Sequence, residues 1–553
     1  MAPDALVIGA GPNGLVAANV LADAGWDVLV LEAQREPGGA VKSARVTAPG
    51  FVSDLYSSFY PLAVASPVIG DLQLEQHGLR WRHAPQVLAH PLLDGRAAVL
   101  SRDQQVTATS VGSFHGDDGR AWLELVAQWR ALTPHLINAV TGPFPPVRPA
   151  AGLAHALGPA GALRFARFAT LSVRRFAQEQ FRGEGAALLL AGNAMHTDLS
   201  PDASGSAVFG WLLAMLGQEV GFPVPEGGAG ELTRALVARL LSRGGRVECD
   251  ARVDQVLVRD GRATGVRLAG GRQVHARRAV LADVPAPALY KQLLGPGVLP
   301  PRLVTDLERF SWDDATVKVD WALSGPIPWT SPDVAGAGTV HLAGDLDDVS
   351  LFGHQLQTGY LPAEPFLLLG QMTTSDSTRS PAGTESAWAY THVPQRPRGD
   401  AAGVLTGDLA DPAQRALFVE RMERRVEQFA PGFRDLVLAR HVAFPDDLEA
   451  RDANLVGGAL NGGTSGLHQQ LFFRPTPGLG RPETFVAGLY LASASAHPGG
   501  GVHGACGANA ARAALRARTT GRVALALTRS LCGASRAAPD APAARSVGGS
   551  PRS

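Results

Sequence analysis

A chain of 553 residues, 45% apolar and 18% charged, is long enough for several domain-sized units and too apolar for a disordered polymer. Fifty basic residues balance fifty acidic ones, which excludes a global field that recruits nucleic acid. The three cysteines, Cys249, Cys506 and Cys532, form no CxxC, which excludes a dithiol relay and a Cys-rich zinc site and fits a reducing compartment.

No apolar run is long enough to span a bilayer, and the first strand, expected from Ala5, leaves no room for a signal peptide. The expectation is a soluble, cytoplasmic globular protein that binds no metal.

Residues Ala5 to Ile8 form a short apolar run of the kind found in buried parallel strands. Gly9-Ala10-Gly11-Pro12-Asn13-Gly14 follows and opens an amphipathic helix from Leu15 to Ala24, with Gly25 at its C-terminal end. A second strand from Asp27 to Leu31 ends at Glu32, eighteen positions after Gly14. Each part suits a dinucleotide. Gly9 permits the tight turn, Gly11 lets the backbone approach a pyrophosphate, and Gly14 lets helix and strand pack closely. The helix N-terminus offers free N–H groups and partial positive charge to phosphates, and Glu32 can accept from a ribose hydroxyl. The alternative, a glycine-rich turn in an ordinary βαβ unit, explains neither the acid nor its spacing. Arg35-Glu36-Pro37-Gly38-Gly39 adds a second glycine pair on which an extended cofactor can lie.

From Gly161 to Arg182, five arginines (Arg164, Arg167, Arg174, Arg175, Arg182) fall within about 100° of a helical wheel. Such a face can rest on an anionic membrane and reach a lipophilic substrate there; the alternative is a solvated face over a domain core. His196, two residues before Asp198, pairs more simply as a loop cap than as a metal ligand. Pro223 to Gly230 leads into a helix carrying Leu232, Leu236 and Leu240, stopped by Gly244-Gly245. Strands then follow at Val247–Cys249, Val253–Val258, Gly265–Leu268 and Ala279–Ala282. Thr316 to Leu323 reads as a further strand, near Trp312, Trp321 and Trp329, which either line a pocket or fill a core.

Near the C-terminus an apolar strand from Phe485 to Ala494 runs into Ser495-Ala496-His497-Pro498-Gly499-Gly500-Gly501-Val502-His503-Gly504, and a helix from Ala505 to Arg516 begins there. A strand that delivers a glycine-rich loop to a helix start is a second anion-binding geometry, able to stabilise charge on a reduced flavin ring. His497 can then orient substrate or hold a proton; the competing reading is a loop cap, and Cys506 reads as a small buried thiol. Residues 533–553 are expected to be a disordered tail.

Together these segments resemble the FAD-dependent phytoene desaturase and carotenoid isomerase-like flavoproteins, most of all the branch named for a pyridine nucleotide-disulphide oxidoreductase domain. The matching residues are Gly9, Gly11, Gly14, Glu32, Gly38 and Gly39, the Pro225/Gly227/Gly228/Leu232 block, and His497 through Val502. Asn454 to Gly458, His468-Gln469-Gln470 and Arg474-Pro475 extend the likeness. The resemblance implies an α/β fold: a Rossmann-like, three-layer FAD-binding domain with an inserted α+β substrate domain containing a mixed sheet. It assigns residues 1–110, 220–300 and 478–530 to the FAD domain, and 111–219 and 301–477 to the substrate domain. It implies FAD as cofactor, held by the Gly9–Gly14 loop, Glu32, Arg35, Gly38 and Gly39, with Val253 beside the adenine and Gly501 and Val502 beside the flavin. Ala40-Val41 depart from the arginine that many relatives carry after the glycine pair.

The implied reaction takes hydride from a lipophilic or conjugated small molecule to FAD, forms a C=C bond, and returns the electrons to oxygen or a quinone. The alternatives are a redox-neutral isomerase on reduced flavin, an amine oxidase-like enzyme, and a non-enzymatic flavin-binding protein.

Overall fold

The computed structural model describes residues 2–295 and 297–517. In chain order, the first elements that bear on function are β1 (Ala5–Ile8), α1 (Pro12–Asp23), β2 (Val28–Leu31), β3 (Gln86–Pro91), β4 (Ala97–Leu100), α2 (Val147–Phe168), α3 (Val173–Gln180) and α4 (Gly230–Ser242). Next come β5 (Arg246–Glu248), β6 (Ala279–Ala282), β7 (Ala315–Leu323), β8 (Ala337–Leu342) and β9 (Leu367–Gln371). They are followed by β10 (Glu385–Val393), β11 (Val437–Ala443), β12 (Leu489–Leu491) and α5 (Ala505–Arg516).

Five short strands pair in parallel in the order β12-β6-β1-β2-β5, with β1 at the centre. Alternation along β1 decides the layers. Ala5 and Val7 pack against α1, α4 and α5, whereas Leu6 and Ile8 face an antiparallel sheet that includes Val253, Val256 and Val266. This is the expected three-layer arrangement, and its strands come from three distant parts of the chain. β1 is buried on both faces because both are covered, which explains its unbroken apolar run. Gly507 is required where α1 meets α5: a Cβ there would stand 1.9 Å from the Asn13 carbonyl oxygen.

The second sheet is mixed, in the order β11-β7-β10-β9-β8-β3-β4, and the β8–β3 pair is parallel. β3 and β4 lie within residues 1–110, a range expected to belong wholly to the nucleotide domain, yet their ladder runs through β8 into this sheet. The apolar pattern of β3 suits either sheet, and only its pairing with Ala337 to Val340 shows which one it joins.

Two predicted elements differ. The strand expected from Phe485 to Ala494 is reduced to Leu489–Leu491, because Gly488 at φ +74° ends the extended run and only these residues reach Val280–Ala282. The single basic helix expected across Gly161 to Arg182 is broken between α2 and α3. Thr170 and Leu171 turn the chain, and the Ser172 side chain caps α3 by accepting from the Arg175 N–H. The expected 533–553 tail, Cys532 and the residues beyond 517 lie outside the described residues.

Candidate flavin and substrate cavity

Gly9 takes φ +92° and turns the chain from β1 into α1, whose N-cap is Gly11 and whose first residue is Pro12. The second glycine pair lies on this turn: the Gly38 N–H donates to the Ala10 carbonyl at 2.8 Å, and a Cβ on Gly39 would stand 3.1 Å from the Gly11 Cα. Glu32, at the end of β2, is buried; its carboxylate accepts from the Ala10 N–H at 2.7 Å and the Gln34 N–H at 2.9 Å. Ala251 N–H donates to the Glu32 carbonyl at 2.8 Å, which brings Val253 to the same end of the sheet. Arg35 is exposed on the surface.

A cavity of about 350 Å³ runs from this turn to the C-terminal glycine loop. Pro12, Asn13 and Gly39 line one end, and Gly500, Gly501 and Val502 another, so two motifs almost 500 residues apart share one space. Three polar atoms on its wall are buried without a protein partner: Asn13 Oδ1, Ser58 Oγ and Thr316 Oγ1. A glycine cradle at a helix N-terminus, an acid at the next strand end and unpartnered polar atoms along the wall fit an extended dinucleotide such as FAD.

Arg474 lies beneath the glycine loop, against Gly499. Its guanidinium is fully buried and donates to the carbonyls of Ala494, Thr464, Asn461 and Gly463, with distances of 2.8–3.3 Å. A Cβ on Gly499 would lie 3.2 Å from that guanidinium. Cys506 is also beneath the loop, where burial pushes its thiol up to about 12, so it stays protonated and unreactive. His503 accepts from the Ala505 N–H at 3.0 Å and so caps the start of α5.

His497 is not on the cavity wall. Its ring packs edge-on against Phe144 with centroids 5.5 Å apart, and burial pushes it down to about 4. A neutral ring in an aromatic setting, off the cavity wall, is placed to support the loop. His497→Gln is therefore expected to change the flavin-reduction rate by less than about threefold while lowering thermal stability. A tenfold slower reduction at unchanged cofactor content would restore a direct role.

Part of the remaining wall is formed by the seven-stranded sheet; its strand over Thr316 to Leu323 was expected, but which of its residues face the cavity was not identified from the sequence. Thr316 and Lys318 on β7 lie beside Trp388 and Tyr390 on β10, whose rings stack at 5.9 Å and 16°. Phe59 packs on Trp388, and Leu213 and Phe222 close the apolar side. The Lys318 ammonium, only 3% exposed, pairs with the buried Asp320 carboxylate and sits 5.7 Å from the Trp388 ring centre. A lysine two residues before an aspartate within a mostly apolar strand, in a chain with only three lysines, was the available signal. Trp321 is core and donates to Glu423, while Trp329 donates to Gln371.

His196 lines the cavity, and its Nε2 lies 2.9 Å from the Nε2 of His341 on β8. Burial pushes His196 down to about 3 and His341 well below its usual range. The two rings share a hydrogen bond as neutral imidazoles. Asp198 turns away and accepts from Thr464 Oγ1 and the Ser465 N–H, so the expected loop-capping role belongs to Asp198 rather than to a His196–Asp198 pair. Among the described residues, no group of three or more His, Cys, Asp or Glu is placed to hold a metal.

Comparison with known proteins agrees with this geometry. The family described as flavin containing amine oxidoreductase matches residues 13–319, more than half of the chain. A pyridine nucleotide-disulfide oxidoreductase domain-containing protein 2 from Mus musculus is 28% identical, with 93% of each chain covered. A zeta-carotene-forming phytoene desaturase from Myxococcus xanthus is 28% identical, with 90% of each chain covered. Among solved structures, an oxidoreductase from Methanosarcina mazei superposes with a TM-score of 0.61 at 16% identity, covering 93% of this chain and 99% of that one, a likeness of fold.

Proposed function

Since the chain belongs to the flavin containing amine oxidoreductase family and is a flavin-dependent oxidoreductase, we propose that it is an FAD-dependent dehydrogenase acting on a lipophilic or conjugated small molecule, in the manner of the phytoene desaturases it is similar to. The observation that carries this reading is the single cavity joining the α1 cradle, the Gly500–Val502 loop and an aromatic wall. FAD would be held by the Gly9–Gly14 turn, Glu32, Gly38 and Gly39 at one end and by Gly501 and Val502 at the other, with Val253 beside the adenine and Arg35 at the solvent edge. The flavin supplies hydride acceptance.

The chain's own residues position and exclude. Trp388, Tyr390 and Phe59 offer flat apolar surface to a conjugated substrate, and Leu213 and Phe222 keep water from the site. Lys318, paired with Asp320, places an ammonium on the wall, where it opposes a protonated amine; because hydride loss leaves positive charge on the substrate, any charge it favours would be the negative charge passed to the flavin ring. Oxygen or a quinone would take the electrons.

The direct test is an anaerobic visible spectrum of purified protein during addition of a detergent-solubilised polyene. Bleaching of the flavin bands, with a product two mass units lighter, is the expected result. Peroxide release with amines and no bleaching with polyenes would replace this substrate class by amines. A flavin released on heat denaturation that proves to be FMN would overturn the cofactor assignment.

Membrane contact through the arginine face has less support from the geometry. Arg167 and Arg175 both pair with Glu179, and Arg174 pairs with Asp202 and Asp347, so three of the five guanidinium groups are already partnered. No helix among the described residues is long and apolar enough to cross a membrane. The protein is expected to remain unbound to anionic liposomes in a flotation assay at physiological salt; flotation that salt reverses would contradict this.

A further inference from the structure

One side chain in the cofactor cradle has no place in the dinucleotide reading of the glycine turn. Asp283 directly follows β6, and its Oδ2 accepts the Gly14 N–H at 2.7 Å. The same oxygen stands 2.8 Å from where a Cβ on Gly11 would lie and 3.1 Å from one on Gly14, and the Asp283 carbonyl oxygen stands 2.8 Å from one on Gly9. All three fingerprint glycines are thus shaped around this acid. The carboxylate is buried, lines the cavity and occupies the positive end of α1, where phosphate oxygens are expected.

The groups that face it add no positive charge. Glu32 at the end of β2 and Asp452, which follows the short helix Pro445–Arg451, both oppose its ionisation. The Cys506 thiol of α5 is protonated, and Lys42 acts on Asp452. Burial, then the two neighbouring acids, push Asp283 up to about 7 against the Gly14 N–H, which favours the charged form. A pyrophosphate brought to the same helix end adds further negative charge beside it.

We propose that Asp283 makes dinucleotide binding proton-linked: the pyrophosphate enters the α1 cradle with this carboxyl protonated, and one proton is taken from solvent for each cofactor bound. The proposal rests on the FAD reading above. No redox step is involved; a carboxylate becomes a carboxylic acid whose O–H can donate to a phosphate oxygen.

The sign follows from linkage. Below the free-state value Asp283 already holds the proton and affinity is flat; above it each pH unit weakens binding up to tenfold, until the still higher bound-state value is reached. Between pH 7 and pH 9 the loss is on the order of 10- to 100-fold, provided the bound-state value lies above that range.

The test titrates full-length apoprotein with FAD by flavin fluorescence from pH 6 to 9. Calorimetry at pH 8 in two buffers of different ionisation enthalpy counts the protons. The expected result is close to one proton taken up in wild type, a flat pH profile in Asp283→Asn, which keeps an acceptor for Gly14, and a retained slope in Asp452→Asn. Intact binding without proton uptake, or a slope that survives in Asp283→Asn or disappears in Asp452→Asn instead, overturns the proposal alone. Should Asp283→Asn fail to fold, the wild-type proton count decides. No FAD binding at any pH overturns the cofactor reading and this proposal with it.

Discussion

Gly14→Val is expected to purify colourless and to stay colourless when FAD is added. A Cβ at this position would stand 2.2 Å from the Gly9 carbonyl oxygen, which is backbone and cannot rotate away, and 3.1 Å from the Asp283 carboxylate. The turn from β1 into α1 would have to open, and with it the row of N–H groups at the helix start. The expected loss of FAD affinity exceeds about 100-fold, or about 2.8 kcal/mol. Visible absorbance and fluorescence titration measure it, and circular dichroism checks that the remaining fold survives. Gly11→Val should act in the same direction, since its Cβ would meet a side-chain oxygen at 2.8 Å, with a smaller loss because a side chain can move. A yellow Gly14→Val protein of near-normal affinity would remove the cradle from the cofactor site.

Lys318→Met is expected to damage both stability and reduction, and the two effects can be separated. The Lys318–Asp320 pair is buried at both ends, and the other Asp320 oxygen has only the His441 ring, 3.7 Å away. Removing the ammonium leaves a buried carboxylate without its partner, which costs about 3–5 kcal/mol. Replacing both residues by apolar ones should recover most of that in urea unfolding, because no charge is then stranded. Reduction should not recover. Lys318 supplies the ammonium on the cavity wall, and its loss is expected to slow anaerobic flavin reduction roughly 100-fold in both the single and the double variant. A double variant that reduces its flavin at the wild-type rate would confine Lys318 to a structural role.

How much could be read in advance divides along the range of the interactions. α1 and α5, the glycine turn and the acid at Glu32 are local patterns: an apolar run, positive-φ glycines and a strand end within a few residues of each other. The Gly500–Val502 loop was legible for the same reason. Spacing locates His497 beside that loop but gives no direction for its ring, which the aromatic contact with Phe144 sets. The break between α2 and α3 was missed because the helical wheel is indifferent to the Ser172 cap.

The sequence by itself determined that this chain builds a dinucleotide-type βαβ unit at its start and closes it with a glycine loop near its end, because those elements depend on backbone conformations that particular residues impose. Only the tertiary structure decided what else shares the site. Asp283, Lys318, Trp388 and the His196–His341 pair come from strands and loops separated by many residues, and nothing local to any of them says that they meet. They meet because the five-stranded parallel sheet and the seven-stranded mixed sheet are assembled from interleaved segments. Burial then gives these groups their chemistry: it raises the Asp283 carboxyl, lowers the His196 imidazole and leaves the Lys318 ammonium bound to Asp320.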